Sequence, residues 1–172
     1  ALESFRSSAS PDGFFAWSRL PEKIQRTKVK TAVIKFPWDL VAHNSAAIAD
    51  DFQRITKRVR SQGKVYDGVH LLRPENIFIG KGAQIKPGVV LDAEAGPIVI
   101  DEEAVIMPQA VIEGPAFIGA GSRIKIAAKI YGSTAIGPMC KVGGEVEGSI
   151  IHGYSNKQHD GFLGHAYIGE WC

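Results

Sequence analysis

The sequence predicts a parallel β-helix built from hexapeptides, and three observations carry the prediction. An aliphatic residue returns every six positions eight times in succession, at Ile100, Ile106, Ile112, Ile118, Ile124, Ile130, Ile136 and Val142. Two positions before most of these stands a small residue: Ala104, Ala110, Ala116, Ser122, Ala128, Thr134 and Cys140. Turn formers follow, as in Ile118-Gly-Ala-Gly, Ile130-Tyr-Gly and Ile136-Gly-Pro. A period of six fits neither the 3.6 of a helix nor the alternation of a lone strand.

Three hexapeptides make one triangular coil of about eighteen residues, each giving a short strand and a sharp corner. The aliphatic residue and the small residue two places earlier share one side of the strand, so both point into the prism. Gly and Pro at the corners supply a positive or fixed φ. The period is already present at Ile79-Gly-Lys-Gly, Ile85-Lys-Pro-Gly and Leu91. It slips by three residues over Asp92–Val99, read as a corner loop, and resumes at Ile100. A second break covers Ser149–Gly161, read as an excursion from the prism wall, before Phe162 and Ile168 restore the six-residue step. The β-helix is therefore expected over residues 76–172.

Residues 1–75 lack the hexad and read as a linker and helical attachment. Val29–Phe36 has the β-branched content of a strand. Pro37-Trp38 then breaks it, and Asn44 is a plausible N-cap for a helix running to about Arg58. Ile48, Phe52, Ile55 and Val59 form one apolar stripe on that helix, which suits a connector lying against the first coil. The alternative is the tail of a preceding domain.

Composition narrows the function classes. The chain has 172 residues, 45% hydrophobic and 22% charged, with a formal net charge of +2. Interspersed cations and anions give no reason to propose nucleic acid as a partner. No apolar run reaches the ~20 residues needed to cross a bilayer. The two cysteines, Cys140 and Cys172, do not make a disulfide framework, and a cytoplasmic location is expected. The start at Ala1 and the stop at Cys172, partway through a hexapeptide, lead to the expectation of a piece of a longer protein.

A β-helix wall is a scaffold, so chemistry is expected where the repeat is broken. Glu145–Gly169 holds His152, His159 and His165, with Tyr154, Asn156, Lys157 and Asp160. Histidine is the usual general base near neutral pH, and Lys or Asn can hold a phosphate or a sugar hydroxyl.

Within that segment, His159-Asp-Gly-Phe-Leu-Gly-His-Ala-Tyr-Ile-Gly resembles the His-x-x-Tyr-Leu-Gly-x-x-x-Ile-Gly signature of bifunctional sugar-1-phosphate enzymes. That family couples N-acetylation of glucosamine 1-phosphate to uridylyl transfer. The whole phrase Gly153–Gly169 is closer to its Bacteroidetes-type and archaeal, sugar-nucleotidyltransferase-like branch. The resemblance implies a left-handed β-helix, a homotrimer, and acetyl-CoA as co-substrate, with Mg2+ serving only a separate nucleotidyltransferase domain. It implies His159 as the general base. Phe162 stands where the better-known branch has a substrate-contacting tyrosine, Ser149 where it has a phosphate-binding lysine, and Tyr131 where it has an arginine. Lys129 and Lys157 are candidate replacements, with Asn156 a further candidate contact. The acetyl-CoA-binding coils are expected beyond Cys172, so this segment alone is expected to be inactive. Two alternatives stay open: a non-catalytic oligomerisation scaffold, and a γ-carbonic-anhydrase-like zinc enzyme using the three histidines.

Overall fold

A computed structural model of the chain describes residues 27, 28, 31, 33–56 and 61–172. The chain divides into two units, 1–33 and 34–172, and the regular elements found among the described residues lie in the second. Among the described residues that unit holds one α-helix, α1 (Pro37–Thr56), a single 3-10 turn (Pro74–Asn76) and eighteen short strands. The strands come in threes, one triplet per coil. The first two coils hold β1 (Lys64–Val65), β2 (His70–Leu72), β3 (Ile77–Ile79), β4 (Gln84–Ile85), β5 (Val90–Asp92) and β6 (Ile98–Ile100). The middle two hold β7 (Val105–Ile106), β8 (Val111–Glu113), β9 (Ala116–Ile118), β10 (Arg123–Ile124), β11 (Lys129–Ile130) and β12 (Thr134–Ile136). The last two hold β13 (Lys141–Val142), β14 (Glu145–Glu147), β15 (Ile150–Ile151), β16 (Asn156–Lys157), β17 (Phe162–Gly164) and β18 (Tyr167–Ile168).

Every third strand pairs in parallel, giving three six-stranded sheets that form the walls of a left-handed prism. The first wall is β1-β4-β7-β10-β13-β16, the second β2-β5-β8-β11-β14-β17 and the third β3-β6-β9-β12-β15-β18. The predicted inward residues are buried: Ile106, Ile118 and Ile124 have no exposed surface, and neither do Ala104, Ser122 and Thr134. Strand register stacks them into three interior columns. The first runs Val65, Ile85, Ile106, Ile124, Val142, Lys157. The second runs Leu71, Leu91, Ile112, Ile130, Val146, Leu163. The third runs Ile79, Ile100, Ile118, Ile136, Ile151, Ile168. Lys157 alone is not aliphatic.

The corners are less glycine-dependent than expected. The residue just before most small inward positions takes a left-handed φ, and at many corners it is not glycine: Glu103 (56°), Gln109 (64°), Ala127 (55°), Ser133 (59°), Met139 (58°) and Tyr154 (61°). Such a residue costs about 1–2 kcal/mol relative to ordinary backbone. A backbone ladder between coils offsets it, as Glu103 N–H donates to Lys81 O (3.0 Å), Met139 N–H to Ala120 O (2.9 Å) and Tyr154 N–H to Pro138 O (2.8 Å).

The prism begins at β1, earlier than the expected start near residue 76, because two-residue strands with exposed Lys64 and Val65 leave no long apolar run. The slip over Asp92–Val99 is a corner loop between β5 and β6, as read. Ser149–Gly161 is not an excursion: β15 pairs with β12 and β18, and β16 pairs with β13. The coil is instead shorter. Ile136 to Ile151 is fifteen residues, where Ile118 to Ile136 is eighteen. A shortened corner erases the six-residue signal while leaving strand pairing intact.

Helix α1 starts at Pro37, eight residues ahead of the expected Ser45, with proline at the first helical position, where its missing N–H is harmless. Asp39 Oδ2 accepts from the N–H groups of Lys35 (2.8 Å) and Phe36 (3.0 Å). Asp39 thus ties the two residues before the helix to its first turn, and residues 31 and 33–36 form no strand; Val29, Lys30 and Ala32 lie outside the described residues. Asn44 is a buried mid-helix residue rather than a cap, its amide donating to Ser133 O at 2.7 Å. Ile48 is buried and Phe52 and Ile55 are half-buried, as the stripe requires; Val59 lies outside the described residues. The helix packs on β9, β12, β15 and β18, so it crosses the third wall rather than covering the first coil.

Candidate functional site

The β-ladder fixes which side chains can reach a ligand, because alternate residues point outward from each wall. The third wall turns apolar side chains outward beneath α1, with Val99 almost wholly buried. The other two walls are polar and of opposite character. Outward positions of the first wall carry Lys64, Lys86, Arg123, Lys125 and Lys141 and no carboxylate. Those of the second carry Asp92, Glu113, Glu145 and Glu147 against Lys129 and His70.

The three clustered histidines separate onto three edges of the prism. His152 follows β15 at the third-to-first edge, half-buried with its ring edge-on to Tyr167 at 5.0 Å. His165 lies between β17 and β18 at the second-to-third edge. His159 lies between β16 and β17, at the edge where the basic and acidic walls meet, and is exposed. Three imidazoles on three edges of one prism do not converge, and the described residues contain no group of three or more His, Cys, Asp or Glu that could hold a metal ion.

The predicted contacts divide in the same way. Lys129, Tyr131 and Phe162 all belong to the second wall. Lys129 pairs in register with Glu145, and Glu145 with Phe162, so the three lie in one outward row. Lys129 Nζ meets Glu145 Oε1 at 2.7 Å, and this hydrogen-bonded carboxylate holds the ammonium above its ordinary pKa. Lys129 and half-buried Tyr131 line a recess of about 330 Å³ with Gln109, Val111, Glu113 and Ala127. Phe162 is 63% exposed, with Leu163 rather than Phe162 turned inward. Asn156 is exposed on the first wall, in register with Lys141.

Two predicted contacts are committed elsewhere. Ser149 has no exposed surface, and its hydroxyl donates to Glu147 O (2.7 Å) and accepts from Ala166 N–H (3.0 Å). It stands at the small inward position, which hexad counting could not distinguish from an outward one once the coil had shortened. Lys157 stands in the interior column, and its ammonium donates to Gly143 O (2.7 Å), Gly161 O (2.8 Å) and His159 O (3.1 Å). An ammonium has three donors, and all are used.

Sequence reasoning missed Arg123, Lys125 and Lys141. These occupy adjacent coils of the first wall and take part in none of the ion pairs or side-chain hydrogen bonds found among the described residues. Their signal was the outward position of the hexads in successive coils, legible once strand register is known.

No family model matches the chain. It is similar to the bifunctional protein GlmU of Synechococcus elongatus and of a second Synechococcus strain, each 29% identical over 143 residues, covering 72% of this chain and 31% of the relative. It is also similar to the bifunctional protein GlmU of Bartonella bacilliformis, 23% identical over 153 residues, covering 84% of this chain and 33% of the relative. The chain thus spans about a third of the length of these relatives. They bear out the resemblance to the bifunctional sugar-1-phosphate enzymes.

Proposed function

We propose that this chain is the sugar-binding part of an acyl-CoA-dependent N-acetyltransferase acting on an amino-sugar 1-phosphate of the glucosamine 1-phosphate type. The observation that carries the reading is the position of His159. Its exposed imidazole sits at an edge with unpaired cations on one side and a polar, aromatic wall on the other. Arg123, Lys125 and Lys141 supply charge for a phosphate. Asn156 can exchange hydrogen bonds with a sugar hydroxyl, and Lys129, Tyr131 and Phe162 offer a surface for the ring. Ser149 and Lys157 keep structural roles.

In the reaction, the sugar amine attacks the thioester carbonyl of acetyl-CoA. The C–N bond forms, His159 takes the proton released from nitrogen, and the C–S bond breaks to give the amide and the coenzyme A thiol, which recovers that proton. Acetyl-CoA enters as a co-substrate. In the bifunctional reading, nucleotidyl transfer with Mg2+ belongs to a separate domain of a longer protein.

A homotrimer is part of the proposal. A basic wall and an acidic wall that share an edge are complementary between neighbouring copies, and a ring of heterologous contacts closes around a threefold axis. Light scattering should give three chains at micromolar concentration, with dissociation favoured by salt; a monomer throughout would sink this part. The charged walls also serve a purely scaffolding protein, and activity separates the two. The full-length protein carrying this chain should release coenzyme A thiol from acetyl-CoA in the presence of glucosamine 1-phosphate. His159→Ala should lower kcat about 10²–10⁴-fold. Undiminished turnover in that variant would rule out the assignment of the base.

A further inference from the structure

We propose that Lys157 is a positioning residue whose ammonium clamps the edge bearing His159, an inference that rests on the reading of His159 as the base. Lys157 is the one cation in three otherwise aliphatic interior columns, in register with Val142. Placing an ammonium where its neighbours carry Ile or Val is costly unless its donors are satisfied. Here each donor meets a carbonyl: that of Gly143 in the coil before, and those of His159 and Gly161 in its own corner. Gly161 O also receives Glu145 N–H (3.1 Å), whereas the bonds found among the described residues give His159 O and Gly143 O no other donor. The clamp therefore ties the backbone of His159 itself to the preceding coil.

The preceding corner is shaped to receive it. Between the inward positions Ile124 and Ala128 stand three residues, Lys125, Ile126 and Ala127; between the equivalent Val142 and Gly144 stands only Gly143. The His159 corner keeps the full length, so it leans over a shortened neighbour. A Cβ on Gly144 would come within 2.7 Å of Gly161 O and 2.9 Å of Lys157 Nζ, and one on Gly143 within 2.5 Å of Gln158 O. The two glycines leave room for the clamp, and the clamp fills it. An exposed corner is thereby held by a half-buried side chain, which suits a base that must meet a bound amine within a fraction of an ångström.

The test replaces the donors and keeps the stem. Lys157→Met in the full-length protein should raise amide exchange at Gly143 and Glu145, whose N–H groups donate to Lys157 O and Gly161 O, about tenfold or more, while exchange at β10 to β12 stays as in the wild type. It should lower kcat about tenfold or more with KM for the sugar phosphate nearly unchanged. Lys157→Cys in a Cys172→Ser background, alkylated to S-aminoethylcysteine, should restore both. Wild-type exchange at Gly143 and Glu145 in Lys157→Met would overturn the proposal, as would an equal loss of protection in every coil. If the wild-type protein transfers no acetyl group, the function proposed above fails, and the exchange data still decide whether the clamp exists.

Discussion

Ser149→Ala decides between a binding role and a structural one. A serine that contacts a phosphate would, on removal, weaken ligand binding and leave the fold alone. The structure assigns the opposite outcome. The Ser149 hydroxyl is enclosed in the prism and is the acceptor for Ala166 N–H (3.0 Å). Its loss leaves that N–H without a partner, whereas Glu147 O keeps the N–H of His165 (3.0 Å). One orphaned donor in a partly buried position costs about 1–2 kcal/mol. For a domain of this size that is roughly 3–8 °C in midpoint. The same hydroxyl bridge recurs where Ser122 Oγ accepts Cys140 N–H (2.8 Å) and Ser155 Oγ accepts Cys172 N–H (3.2 Å), so the loss should be local to the last coils. Thermal and urea unfolding, with amide exchange at β15 and β18, measure it. Unaltered stability with a tenfold weaker affinity for glucosamine 1-phosphate would refute the reasoning.

Thr134 tests the same physics with the reverse sign. Its hydroxyl is buried without a hydrogen-bond partner, so Thr134→Val should raise stability by about 1 kcal/mol in urea unfolding. Cys140 is buried, which pushes its thiol pKa up, whereas Cys172 is exposed. Iodoacetamide at pH 8 should label Cys172 rapidly and leave Cys140 until the protein is unfolded, as read by mass spectrometry. His152→Ala should leave kcat within about twofold of the wild type, since its edge is not that of His159; a loss of the size expected for a general base would reassign the role.

The prism was legible because a hexad repeats the same two inward requirements in every wall, so errors at single positions average out. Two parts were hidden for physical reasons. A corner shortened at Gly143-Gly144 keeps strand pairing and destroys periodicity, so a regular coil looked like an excursion. The outward charges were invisible as a group because Arg123 and Lys141 are a full coil apart in sequence and adjacent only through the β10–β13 ladder. His159 was singled out from its motif, but the surroundings of two other candidates were not legible: Ser149, matched to a phosphate-binding lysine, is enclosed, and Lys157, a candidate replacement, spends its donors on backbone. At the other end, Asn44 looked like a helix cap because its residue type favours one, whereas Asp39 already satisfies the donors before Pro37.

The departures from the repeat also argue for where function lies. A solenoid has no structural need for a lysine in an aliphatic column, a two-residue contraction at one corner, or an exposed histidine on the next. Each alone would be unremarked, since surface corners tolerate change. Here all three coincide: Lys157 donates to the carbonyls of His159 and of Gly143 in the contracted corner, and no other coil shows a cation in its interior column. Violations of a local rule that are mutually satisfied in space, and that meet where walls of opposite charge join, are the pattern expected of a site under functional constraint. The third wall makes the contrast. It obeys the hexad inward, presents apolar residues outward, and packs beneath α1. In the reading proposed above, a ligand that is anionic at one end and carries an amine at the other would meet both walls at the edge that His159 occupies.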